Sequence, residues 1–141
     1  MAALTYLVAY DFSDNADKVL DYAVELAQKC DADLKVIHVV DTPTFPITLA
    51  NYDDLVIELQ ELSQKKMNEV RDRLKECPVP IQTVVLNGVP GEEILKYVEK
   101  NKIDMIFLGT HGHSKLENFL FGNTAEAILR TAQCPVVSLR I

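Results

Sequence analysis

Tryptophan is absent from this 141-residue chain, and glycine, proline and cysteine are scarce at five, six and three. So little glycine and proline excludes a collagen-like or low-complexity chain. The cysteines, Cys30, Cys77 and Cys134, form no CxxC pair and are odd in number. That argues against a disulfide framework and suits a reducing cytosol, with the thiols as small apolar residues at element ends. Basic residues are also short: 14 Lys and Arg against 21 Asp and Glu leave a formal charge of −7. Nothing then offsets repulsion from a nucleic-acid backbone, so no nucleic-acid partner is expected. A mononucleotide remains compatible, because it needs only local donors and often a metal ion. Asp11 breaks the apolar N-terminus early, so neither a signal peptide nor a membrane span is expected and the chain reads as cytoplasmic.

What is present is an ordinary globular balance, 48% hydrophobic and 25% charged, in a length that suits one domain, residues 1–141. Five short runs rich in Val, Ile and Leu read as strands: Leu4–Ala9, Leu34–Val40, Ile81–Leu86, Ile103–Leu108 and Val136–Ile141. Near-continuous apolar runs suit strands buried on both faces of a parallel sheet. Helical spacing fills the gaps. Val19, Leu20, Ala23, Leu26, Ala27 and Cys30 form a first stripe, with Ser13 or Asp14 placed to cap it. Leu55, Leu59, Leu62, Met67, Val70 and Leu74 form a second, before Pro78 and Pro80. A third helix begins near Pro90, with Glu92 and Glu93 in its first turn, Lys100 and Lys102 near its end, and Ile94, Leu95 and Val98 facing inward. A fourth covers Thr124 to Ala132. The alternation predicts an α/β fold with a doubly wound parallel sheet and right-handed crossovers. The Asp41–Asn51 stretch, with Pro43 and Pro46, reads as a long connection.

Open α/β sheets bind ligands beyond the carboxyl ends of their strands. The loop after the fourth strand concentrates three of the five glycines, Gly109, Gly112 and Gly122. Glycine lets backbone N–H groups approach a ligand unobstructed, and the loop feeds a helix N-terminus suited to an anion. Asn123-Thr124-Ala125-Glu126 has the form of a capping box. The spacing is not that of a Walker loop, and no GxGxxG follows the first strand.

The spacing Gly109-x2-Gly112-x9-Gly122 resembles the nucleotide-binding motif of the universal stress protein family. The resemblance runs along the whole chain, through Tyr6–Ser13, His38-Val39-Val40-Asp41, Gly88-Val89-Pro90 and Cys134-Pro135-Val136-Val137. It implies five strands in the order 3-2-1-4-5 with helices on both faces, binding of ATP or AMP, and homodimerisation. Carried over by position, Asp11 and the backbone at Ala9 and Val39 would surround adenine and ribose. Leu108 and Gly109 would line the sugar side. His111, Gly112, Gly122, Asn123 and Thr124 would face the phosphates, with Mg2+ accompanying ATP. The family's motif ends in Ser or Thr where this chain has Asn123. Asparagine caps a helix about as well as serine, and its amide can donate to phosphate, but it is bulkier and points differently.

Plainer readings stand beside these. Asp11 is also suited to a turn after the first strand, and His38, inside an apolar strand, to a hydrogen-bonded core histidine. His111 sits where a phosphate or ribose donor is favoured. His111 and His113 lack a third partner of metal-ligand spacing, so no metal site is assigned. Ser114, Lys115 and Glu117 read as loop polar groups, and whether Tyr10 stacks near the base is open. The last strand alternates Val137, Leu139 and Ile141 with Ser138 and Arg140, and an uncovered apolar edge calls for pairing. Two-fold pairing of this C-terminal strand with its copy would supply it.

The leading functional reading is a nucleotide-binding stress-response protein acting as a sensor or regulatory module, with no catalytic residue assigned. The motif has no arginine and no carboxylate evidently placed to orient water. The alternatives are a slow ATPase, with Asp11 or Glu126 assisting a metal-bound water, and a nucleotide-free dimeric interaction module.

Overall fold

The computed structural model describes residues 3–42, 52–110 and 123–140. Five strands and four helices alternate along the chain: β1 (Leu4–Ala9), α1 (Asp14–Cys30), β2 (Ala32–Asp41), α2 (Tyr52–Arg73), β3 (Ile81–Gly88), α3 (Pro90–Lys100), β4 (Met105–Gly109), α4 (Asn123–Thr131) and β5 (Val136–Leu139). The strands form one sheet in the order β3-β2-β1-β4-β5. Every adjacent pair is parallel, with Val8 opposite both Val36 and Phe107, and Val36 opposite Thr83.

Strand alternation sends neighbouring side chains to two cores. On one face Tyr6 and Val8 of β1, and Tyr10 just past its end, meet Val19, Leu20 and Ala23 of α1 and Met67 and Val70 of α2. On the other, Leu7 and Ile106 meet Ile94 of α3 and Ala125 and Ile128 of α4. A central strand buried on both faces must be apolar throughout, which is why Leu7 and Val8 are both fully buried.

The helix ends follow their local chemistry. Ser13 caps α1, its Oγ accepting from the Ala16 N–H at 3.0 Å, so the cap is Ser13 and not Asp14. Asp31 closes α1 in the left-handed region (φ 55°), its N–H turned back to the carbonyls of Ala27 and Gln28. Pro90 opens α3, where its missing N–H costs nothing.

Several boundaries differ from expectation. The fourth strand starts at Met105, not Ile103, because Asp104 binds the edge of β1: its N–H donates to Thr5 O at 2.8 Å and its carboxylate accepts from Thr5 N. Leu62 does not face inward but is 50% exposed. The inward stripe of α2 runs Leu55, Leu59, Ser63, Met67 and Val70, with Leu74 just past the helix end, and at 3.6 residues per turn Leu62 lies about 100° off it. Among the cysteines, Cys77 and Cys134 pack on the cores, whereas Cys30 is exposed. Residues 43–51 of the predicted long connection lie outside the described residues, as does Ile141 of the predicted last strand.

Candidate nucleotide site

The carboxyl ends of β1, β2 and β4 lie side by side at the centre of the sheet. Ala9, Val39 and Leu108 belong to the same core, on the α3–α4 face. Val39 and Leu108 are buried, and Ala9, with only a methyl to offer, is half-buried. Together they make an apolar floor at the carboxyl ends of these three strands. At Gly109 an added Cβ would come within 3.2 Å of Val19 Cγ2. The end of β4 is therefore pressed onto α1, where a larger side chain would force Val19 to give. Thr110, next along, is buried, and both its N–H and its hydroxyl donate to Leu139 O, at 3.2 and 3.3 Å.

After β1 the chain turns sharply. Asp11 Oδ1 accepts from Ser13 N at 3.0 Å and from Ser13 Oγ at 2.5 Å. Asp11 thus fixes the turn, as a residue with this spacing should, and it does so at the crevice. Phe12 between them has φ 64°, a backbone conformation uncommon outside glycine, asparagine and aspartate. Its ring is held on two sides, edge-on to Tyr10 at 5.2 Å and tilted on His38 at 4.5 Å, with Lys66 Nζ 5.6 Å from its centroid. His38 is half-buried and hydrogen-bonded, its Nδ1 lying 2.9 Å from Tyr10 O. A carbonyl only accepts, so Nδ1 carries the proton in this contact.

Tyr10, whose place near a base the sequence left open, faces the α1–α2 core instead, opposite Ala9, Val39 and Leu108. Its hydroxyl donates to Asp17 Oδ1, which also takes Arg73 Nη2 at 3.0 Å. Burial first, and then the hydrogen bond to the Asp17 carboxylate, pushes the Tyr10 phenol up to about 12. The same contacts, with Tyr10 foremost, raise the Arg73 guanidinium further above its ordinary value. Sequence reading missed this trio. Arg73 lies 56 residues from Asp17, and no local spacing signals the pairing.

Asn123 and Thr124 open α4, Asn123 exposed and Thr124 half-buried. Among the described residues α4 begins at Asn123, and Glu126 pairs with Arg130 at 2.9 Å, an arginine one turn on offering a charged fork. Of the expected site residues, Ala9, Asp11, Val39, Leu108 and Gly109 share the strand ends, and Asn123 and Thr124 begin the following helix. His111, Gly112 and Gly122 lie outside the described residues, with His113, Ser114, Lys115 and Glu117. Among the described residues no group of three or more His, Cys, Asp or Glu could hold a metal ion, and no helix is long and apolar enough to cross a membrane.

The model of the universal stress protein family matches residues 5–140. The chain belongs to the universal stress protein family. Universal stress protein MJ0531 of Methanocaldococcus jannaschii is 34% identical over 136 residues, covering 95% of this chain and 80% of that protein. Universal stress protein UspA from Lactobacillus plantarum superposes with a TM-score of 0.85 at 27% identity, covering 99% and 100% of the two chains. Two more distant structures share the fold. A universal stress protein from Archaeoglobus fulgidus in complex with dAMP has a TM-score of 0.64 at 20% identity, covering 98% of each chain. A universal stress protein in complex with cAMP has a TM-score of 0.68 at 19% identity, covering 99% and 98%.

Proposed function

We propose that this universal stress protein binds an adenine nucleotide, ATP or AMP, at the carboxyl edge of β1, β2 and β4, and that occupancy serves as a regulatory signal in a stress response. The observation that carries the reading is the apolar floor of Ala9, Val39 and Leu108 beside the fixed turn at Asp11, in a family with solved members holding dAMP and cAMP. Adenine would lie against the floor, with the ribose at Asp11 and Gly109. The phosphates would meet His111, Gly112 and Gly122 and the N-terminus of α4 at Asn123 and Thr124, whose N–H groups and dipole favour an anion. Mg2+ would neutralise the charge of bound ATP. We further propose that the protein works in the cytoplasm as a homodimer joined through the C-terminal strand.

Isothermal titration with ATP, AMP and cAMP, with and without Mg2+, tests the reading. Saturable binding near one nucleotide per chain is expected. Asp11→Ala and Gly122→Val should each weaken it by about tenfold or more, the equivalent of at least one good polar contact. No heat and no thermal shift with any of the three nucleotides would overturn it.

A further inference from the structure

Three elements converge on one carboxylate oxygen below the β1–α1 turn. Tyr10 stands at the end of β1, Asp17 in the first turn of α1 and Arg73 in the last turn of α2. Tyr10 is 5% exposed, so its hydroxyl has to find a protein partner, and that partner is Asp17 Oδ1. Arg73 approaches the same oxygen from solvent at 3.0 Å. Alone, an exposed Arg73–Asp17 pair would stabilise the fold very little. Anchored on a buried phenol, it fixes where α1 and α2 stand relative to the end of β1.

The backbone of Tyr10 is held just as firmly. Its N–H donates to Ile37 O at 2.8 Å, and its carbonyl accepts from His38 Nδ1 at 2.9 Å. The next two residues are Asp11, whose carboxylate closes the turn onto Ser13, and Phe12 at φ 64°, whose ring leans on those of Tyr10 and His38. A left-handed aromatic residue persists only where its surroundings over-determine it. Here those surroundings are the residues the trio ties down.

We propose that Tyr10, Asp17 and Arg73 form a strap that presets the β1–α1 turn for the nucleoside half of the ligand, the three acting as positioning residues that do not touch it. The inference rests on the nucleotide reading above for its ligand, though not for the strap itself. It has a selective consequence. The strap acts on the Asp11 turn and so on adenosine, whereas the phosphates are assigned to the loop after β4 and to the start of α4.

The test uses the full chain with Tyr10→Phe, which removes only a hydroxyl, Arg73→Gln, and Arg73→Lys as the conservative variant. Amide hydrogen exchange of residues 11–16 in nucleotide-free protein reads the strap directly. Tyr10→Phe should speed exchange there by about tenfold, as expected for loss of a buried phenol's hydrogen bond to a carboxylate, and Arg73→Gln by about two- to fivefold, as expected for an exposed ion pair, with Arg73→Lys partly restored and the central strands unchanged. Affinity for adenosine and AMP should fall in the same order, by about five- to tenfold in Tyr10→Phe, while affinity for inorganic tripolyphosphate stays constant. Unchanged exchange at residues 11–16, or a uniform rise over all strands and helices, overturns the strap. Equal losses for adenosine and tripolyphosphate overturn its selectivity. If the unaltered protein binds neither nucleoside nor nucleotide, the nucleotide reading fails, and the exchange result alone decides the strap.

Discussion

Tyr10 and Asp11 are neighbours in the chain and part ways in the fold, one turned into the α1–α2 core and the other closing the turn at the crevice. The role of Asp11 was legible because its partner, Ser13, is two residues away and the Asp-x-Ser spacing is itself a turn signal. The role of Tyr10 was not, since Arg73 is brought to its partner by the packing of a whole helix. A pH dependence follows from the phenol. Its folded value of about 12 lies above the ordinary 10. The folded state therefore holds the proton more tightly than the unfolded state, and the resulting stabilisation, complete below pH 10, is lost as pH rises toward 12. Tyr6 is raised to about 12 in the same sense, chiefly through its hydrogen bond with Cys30. Melting temperature followed across this range should fall as pH rises, and Tyr10→Phe should make the fall shallower. An identical slope in the variant would contradict the assignment.

The helices and strands were legible in outline because each apolar run or stripe has one period and one face to bury. Leu4–Ala9 and the Val136 start of the last strand coincide with expectation. Elsewhere tertiary contacts moved the ends, as Asp104 does by pairing with Thr5 before β4 begins. Leu62 shows a further limit: with many apolar residues along α2, several stripes can be drawn, and only the packing of Met67 and Val70 selects one. The approach of α3 to α4 was not legible at all. Gly91 is buried in the first turn of α3, where an added Cβ would lie 2.9 Å from Ala127 Cβ. A methyl in place of the Gly91 hydrogen normally helps a helix by about 0.5–1 kcal/mol. Here it meets a Cβ that cannot rotate away, and overpacking of this kind costs about 1–3 kcal/mol. Gly91→Ala should therefore lower stability to denaturant, with Ala127→Gly in the same chain recovering part of the loss. A neutral or stabilising Gly91→Ala would show that α3 and α4 can separate freely.

Strand order is a property of the entire chain, and alternation of elements gave only its class. The doubly wound parallel sheet followed from five buried runs separated by helices. The order 3-2-1-4-5 came from the resemblance, and the sheet has it. That order sets β2, β1 and β4 together, so that Ala9, Val39 and Leu108, about thirty and seventy residues apart in sequence, share one face. Part of the proposed site thus follows from topology. The glycine loop contributes Gly109, Asn123 and Thr124 to the described residues, and the proposed phosphate contacts at His111, Gly112 and Gly122 stand on the motif. Size and charge bear on the same question, since an acidic chain of −7 can hold a nucleotide only through such local donors. Native mass spectrometry of the protein, gently purified and then mixed with ATP or AMP, tests nucleotide binding and pairing together. The expected spectrum shows the mass of two chains carrying two adenine nucleotides, released together as the complex is dissociated. Bare chains at every nucleotide concentration would contradict it.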